Sequence, residues 1–215
     1  MRFSRIAGLS GLVAVVTFWI AIIIFGALRP YYSQTMNAIS ELGALGTANA
    51  LPWNVLGLVV PGVLLAVAGK TIGNSLSQSR SARLGGWLLA AFGIAAAAQG
   101  LFPADMTGGA LVVKSWHTRT HLAMSLLSGL AWIAAVLFLV APTKRDPRWR
   151  GFHLLNLVAV LLVVLGFAIA RRFLPDGLAQ RSIDAILFTW FLVMSFRLVF
   201  LGTTDSGDTI AQPRA

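Results

Sequence analysis

The chain has 215 residues, 57% of them hydrophobic and 11% charged, with a mean hydropathy of +0.80 and a formal net charge of +10. Soluble domains carry about a quarter of their residues as charges, so much of this chain's apolar surface must face lipid. The absence of cysteine excludes disulfides, thiolate metal sites, iron–sulfur clusters and S-palmitoylation, and the basic residues are scattered over loops without forming the basic stripe of a nucleic-acid-binding protein.

Six apolar segments approach or reach the roughly 20 residues needed to cross a bilayer. They fall near 6–28, 53–70, 85–102, 120–141, 152–170 and 182–201. None alternates polar with apolar residues, which selects helices over barrel strands, since only these two satisfy every backbone group in lipid. The predicted fold is an all-α integral membrane bundle of six transmembrane helices. It forms a single domain over 1–201, followed by a short disordered cytoplasmic tail over 202–215.

The first segment follows MRFSR, which resembles a signal-peptide n-region. Its apolar run, Ala7 to Leu28, is longer than an h-region and no A-x-A pattern follows, so it is expected to be a retained anchor. Next comes NAISELG, which contains Glu41, the single glutamate of the chain. As a short helix stopped by Gly43, it places Asn37, Ser40 and Glu41 on one face. A plain alternative has Asn37 capping an interfacial helix while Glu41 sits in water. Pro52 then opens the second helix, where a missing N–H costs nothing.

The third helix ends at Phe102-Pro103, and Asp105 follows in a turn closed by Gly108 and Gly109. The fourth opens with SWHTRTHLAMS. His117 and His121, one turn apart, could supply two ligands to a metal such as zinc, with Asp105 or Glu41 as the third. They could equally hydrogen-bond water or backbone. Pro-Asp-Gly marks the turn before the sixth helix, which begins with Gln180, Arg181 and Asp184. Arg181 suits pairing with Glu41 or Asp105, gripping a phosphate or carboxylate headgroup, or merely anchoring the helix at the interface. Asn54, Gln99, Asn156 and Ser195 read as interhelical hydrogen-bond partners, and the Gly and Ala of the third helix as a close-packing surface.

Short cytoplasmic loops accumulate Lys and Arg. With the N-terminus inside, eleven of the seventeen fall in the inner set and six in the outer, so both termini are expected in the cytoplasm. Glu41, Asp105, His117 and Arg181 then all lie at the extracytoplasmic side and are expected to converge in one polar pocket.

The ordered set NAISELGA, PWNVLG, LFPAD, a histidine heading helix four, and GLAQR resembles the bacterial and archaeal membrane family catalogued as domain of unknown function nine-nine-eight, from about Tyr31 to Leu201. The resemblance implies a six-helix membrane protein without an established activity, and its family-like polar positions are Ser40, Glu41, Asp105, His117, Gln180 and Arg181. A fainter likeness is to alkaline-ceramidase-like membrane hydrolases, whose serine, aspartate and three histidines around zinc are similar to Ser40, Asp105, His117 and His121. Those proteins have seven helices and carry the histidine pair late in the chain.

Three functions follow. The first is a multi-pass protein of the bacterial cytoplasmic membrane that binds or acts on a lipid headgroup, with Glu41, Asp105 and His117 as catalytic groups and Asn37, Ser40, Gln180 and Arg181 holding the substrate. The second is a structural or partner-binding protein. The third is a proton- or cation-coupled transporter, ranked last because helices one, four and five have almost no polar residues at mid-depth. Membrane lipids are the expected partners; protein partners and nucleic acid are not implied.

Overall fold

The computed structural model describes residues 2–76, 79–107, 110–113 and 115–207. Six helices long and apolar enough to cross a membrane are present: α1 (Arg2–Leu28), α2 (Ala50–Ser75), α3 (Arg80–Leu101), α4 (Trp116–Arg145), α5 (Phe152–Phe173) and α6 (Asp176–Gly207). The protein is therefore an all-α, six-span membrane bundle. The hydropathy pattern starts α3 and α4 too late, because their first turns carry Arg80, Arg83, His117 and Arg119. The true starts are set by Ser79 and Ser115, whose hydroxyls accept from the N–H groups of Ala82 and Thr118. Helix α6 runs past Leu201 to Gly207, into the expected tail, whose remaining residues 208–215 lie outside those described.

Each helix packs against its neighbours in sequence, and α1 closes the ring onto α6. At one end the first turns of α1 meet α6, since a Cβ on Gly202 would stand 3.0 Å from the Cβ of Arg5. The aromatic side chains of α6 fill the centre. Phe188 stacks on Phe18 of α1, Phe191 on Phe92 of α3, and Trp190 meets Trp132 of α4 edge-on, with ring centroids 4.0, 5.3 and 5.6 Å apart. Such offset and edge contacts add to the burial of large rings.

Helices α2 and α3 approach by backbone contact. A Cβ on Gly62 would lie 2.6 Å from the Gly93 carbonyl, and one on Gly93 2.4 Å from that of Gly62. Small residues allow this approach, which lipid itself does not drive. Two helices are locally widened into π turns, at Asn54–Val59 and Gly166–Ala170. The first precedes Pro61, which has no N–H to continue the regular ladder.

Between α3 and α4 lies an antiparallel pair of short strands, β1 (Asp105–Thr107) and β2 (Ala110–Val112). The sequence reading has only a turn there. Gly108 and Gly109, expected to close it, are outside the described residues.

Candidate functional site

At the end of the bundle opposite the termini, the 29–49 loop folds over the start of α6. An α-helix leaves its first N–H groups without partners. Here the carbonyls of Met36 and Thr35 accept from Gly177 and Leu178, at 3.3 and 2.8 Å. The chain passes so close that a Cβ on Gly177 would lie 2.4 Å from the Asn37 carbonyl, so this position needs glycine. Gln180 adds a side-chain link, its Oε1 accepting from the Ile39 N–H at 2.9 Å.

Arg181 holds the loop from behind. Its Nε donates to Gln34 Oε1 at 3.0 Å, Nη1 to the carbonyls of Asn37 and Gly177 at 2.9 and 3.0 Å, and Nη2 to the Tyr32 hydroxyl at 2.5 Å. Burial pushes the Tyr32 phenol above its ordinary pKa, against the opposing pull of the Arg181 hydrogen bond, and keeps it a neutral donor to the Ala38 carbonyl.

Thus held, Ile39–Gly43 forms a 3₁₀ turn. The Glu41 carboxylate folds back onto it, Oε1 accepting from the Ala38 N–H and Oε2 from Asn37 Nδ2, each at 2.8 Å. Asn37 and Glu41 thus meet, but not as neighbours on a helix face, because Ala38 between them is extended and the turn begins only at Ile39. Arg29 donates to the Glu41 main-chain carbonyl and leaves its carboxylate without a cation.

Beneath this turn is a cavity of about 610 Å³ enclosed by the loop and by α3 to α6. Its polar end carries Asn37, Ser40, Glu41, Gln180, Asp184 and His121, with Gln99 and Ser125 beside them. Leu122 and Ile183 add apolar surface beside these groups, and Phe167, Leu187 and Gly129 line the cavity further along their helices. A Cβ on Gly129 would meet only the tip of Phe167, at 3.9 Å. One turn beyond Gly129 and Leu187, the fully buried Trp132 and Trp190 meet edge-on. The π turn of α5 supplies Phe167 and ends at Arg171, which also lines the cavity and pairs with Asp176 at 3.9 Å.

His121 is 5% exposed. Its Nδ1 lies 3.1 Å from both the Gln99 and Phe102 carbonyls, the partnerless last-turn acceptors of α3. Carbonyls only accept, so Nδ1 carries a proton, and Nε2 is the nitrogen left to accept when the ring is neutral. The ring lines the cavity.

Asp105 and His117 lie elsewhere, at the β1–β2 hairpin. Asp105 Oδ2 accepts from the Ser115 N–H and the Thr118 hydroxyl, each at 2.9 Å. Hydrogen bonds from Ser115 and Thr118 hold this carboxyl below the usual carboxylate range, with a smaller contribution from the charge of nearby His117. His117 packs its ring on Trp116, and its buried Nδ1 has no hydrogen-bond partner. The helical spacing of His117 and His121 therefore does not bring them to one site. Among the described residues no three His, Asp or Glu side chains gather as a metal would require.

Of the expected site residues, Asn37, Ser40, Glu41, Gln180 and His121 come together. Asp105 with His117 forms a second group, and Arg181 faces the loop. Arg181 makes no ion pair with Glu41 or Asp105. Sequence reasoning left Asp184 out of the site, although an acid inside an apolar span one turn after Gln180 was a usable signal.

A family described as "Protein of unknown function (DUF998)" matches residues 12–197, from the first span into the last. The chain belongs to this family. No curated protein and no solved structure matches it. The DUF998 match includes all the residues that line the cavity and the Arg181 anchorage. Family membership carries no activity with it.

Proposed function

We propose that this DUF998 protein binds one amphiphile in the cavity, headgroup at the Glu41, His121 and Asp184 end and chain along Phe167, Leu122 and Ile183. The observation that supports this most directly is the mixed lining of a single cavity, with hydrogen-bonding groups under the loop and the apolar side chains of Leu122, Phe167, Ile183 and Leu187 beside and beyond them. A few convergent polar groups in an otherwise apolar cleft is the usual make-up of a small-molecule site. Helix α5 forms one wall and is the least buried of the six, with 17% of its apolar window covered, so a chain can enter from the bilayer beside it.

The test is direct. Gly129→Trp fills the cavity at a position where the backbone and its neighbours leave room. Lipid retained through purification and detected by native mass spectrometry should be lost in this variant while the fold survives. Retention of the same lipid by Gly129→Trp overturns the reading.

A second, hydrolytic reading draws on His121, a cavity-lining imidazole that would act as the base toward water. It is distinguished from binding by a released product that depends on His121. The orientation we propose puts both termini in the cytoplasm of a cell whose cytoplasmic membrane houses the protein, supported by the eleven-to-six bias of Lys and Arg. A cysteine placed at Ala48 of this cysteine-free chain should then label from outside intact cells. Labelling only after permeabilisation inverts the orientation.

A further inference from the structure

The side chains that line the cavity include three carboxyl groups, Glu41, Asp176 and Asp184, and one cation, Arg171, and this lining points to a headgroup class. Arg171 and Asp176 offset each other at the rim. Two carboxyl groups remain, Glu41 from the loop and Asp184 from α6, and neither forms a salt bridge among the described residues. Arg181 stands three residues before Asp184, but its donors are committed to Gln34, Tyr32 and the carbonyls of Asn37 and Gly177. Arg29 is turned to a main-chain carbonyl. The third group is His121, whose Nδ1 proton faces two carbonyls, so that Nε2 is the nitrogen left to accept when the ring is neutral. Acceptors grouped at one end of a partly open cavity favour a ligand that donates into it.

We infer that the cavity recognises an amphiphile whose headgroup ends in a primary ammonium. This rests on the amphiphile reading above and names its headgroup class. A primary ammonium carries one positive charge and three N–H donors, and the cavity lining includes acceptors for them in the carboxyl groups of Glu41 and Asp184 and the ring of His121. A trimethylammonium has the charge and no donors. An anionic headgroup meets two carboxyl groups. Arg171, at the rim beside Phe167, is placed to meet a phosphate between the ammonium and the chain.

The experiment uses full-length protein in dodecylmaltoside and three lysophospholipids with one acyl chain, bearing ethanolamine, choline or glycerol headgroups. Binding is followed by native mass spectrometry and by quenching of tryptophan fluorescence. The ethanolamine lipid should bind at least tenfold more tightly than the choline lipid and more tightly still than the glycerol lipid. Asp184→Asn should abolish the preference and Asp184→Glu should keep it. Equal affinity for all three headgroups overturns the ammonium inference and leaves the amphiphile reading standing. Failure of all three to bind the wild type, or binding unaffected by Gly129→Trp, removes the amphiphile reading itself. The wild-type comparison is decisive even if Asp184→Asn fails to fold.

Discussion

The guanidinium of Arg181 donates through Nη2 to the hydroxyl of Tyr32 and lies 5.6 Å from the centroid of its ring, which joins the start of α6 to a loop 149 residues away in sequence. Four hydrogen bonds from other elements or from its own first turn depend on this one planar fork. A lysine has no such geometry. Arg181→Ala and Arg181→Lys should each lower stability by at least about 2 kcal/mol, since hydrogen bonds to charged groups are the stronger kind. Tyr32→Phe should cost about 1 kcal/mol. Thermal unfolding in detergent, run as a double-mutant cycle, checks both. Additive effects would mean that the pair is not coupled.

The glycines separate packing from function. At Gly93 a methyl group meets the Gly62 carbonyl at 2.4 Å, so Gly93→Ala should destabilise by about 1–3 kcal/mol through overpacking of α2 against α3. At Gly129 the nearest atom is 3.9 Å away, so Gly129→Ala should be neutral or stabilising by up to about 1 kcal/mol, from the helix preference of alanine. Melting temperatures of the two variants should move in opposite directions or leave Gly129→Ala unmoved.

Acid should loosen both ends of the bundle. Asp146, buried after the last turn of α4, accepts from Arg148, and that partnership holds its carboxyl below the usual range. Asp105 is lowered by Ser115 and Thr118. A folded pKa below the unfolded value contributes stability that is present above the unfolded pKa and is lost as pH falls through the folded one. The stability profile should therefore be flat near neutrality and fall below about pH 4, where free carboxylates begin to protonate. Asp146→Asn should reduce that acid-side slope. An unchanged slope in this variant contradicts the assignment.

Beneath the cavity, Asn156 accepts from Trp190 Nε1 at 2.9 Å and donates to the Thr143 hydroxyl at 3.3 Å, all of it buried. Asn156→Leu leaves the indole N–H without its partner. It should cost about 1–2 kcal/mol, as interhelical hydrogen bonds in membranes do. Tryptophan emission should shift as the Trp132–Trp190 contact relaxes. Unaltered emission and stability would show that the network is dispensable.

The sequence by itself determined the six spans, because a bilayer leaves a backbone no option but the helix once roughly 20 apolar residues occur together. It did not decide how Asn37 meets Glu41, since Ala38 between them is extended and the carboxylate folds back over it. Only the tertiary structure decided which polar groups share a cavity. His117 and His121 are separated by one turn, yet the end of α3 offers its carbonyls to His121 alone while His117 packs against Trp116. Arg181 and Asp184 begin the same helix, yet the 29–49 loop takes the arginine for its own support and leaves the acid facing the cavity. Periodicity says which residues are neighbours along a helix. The rotation of that helix against the others, set by close glycine contacts and stacked rings far from the site, says what those residues face.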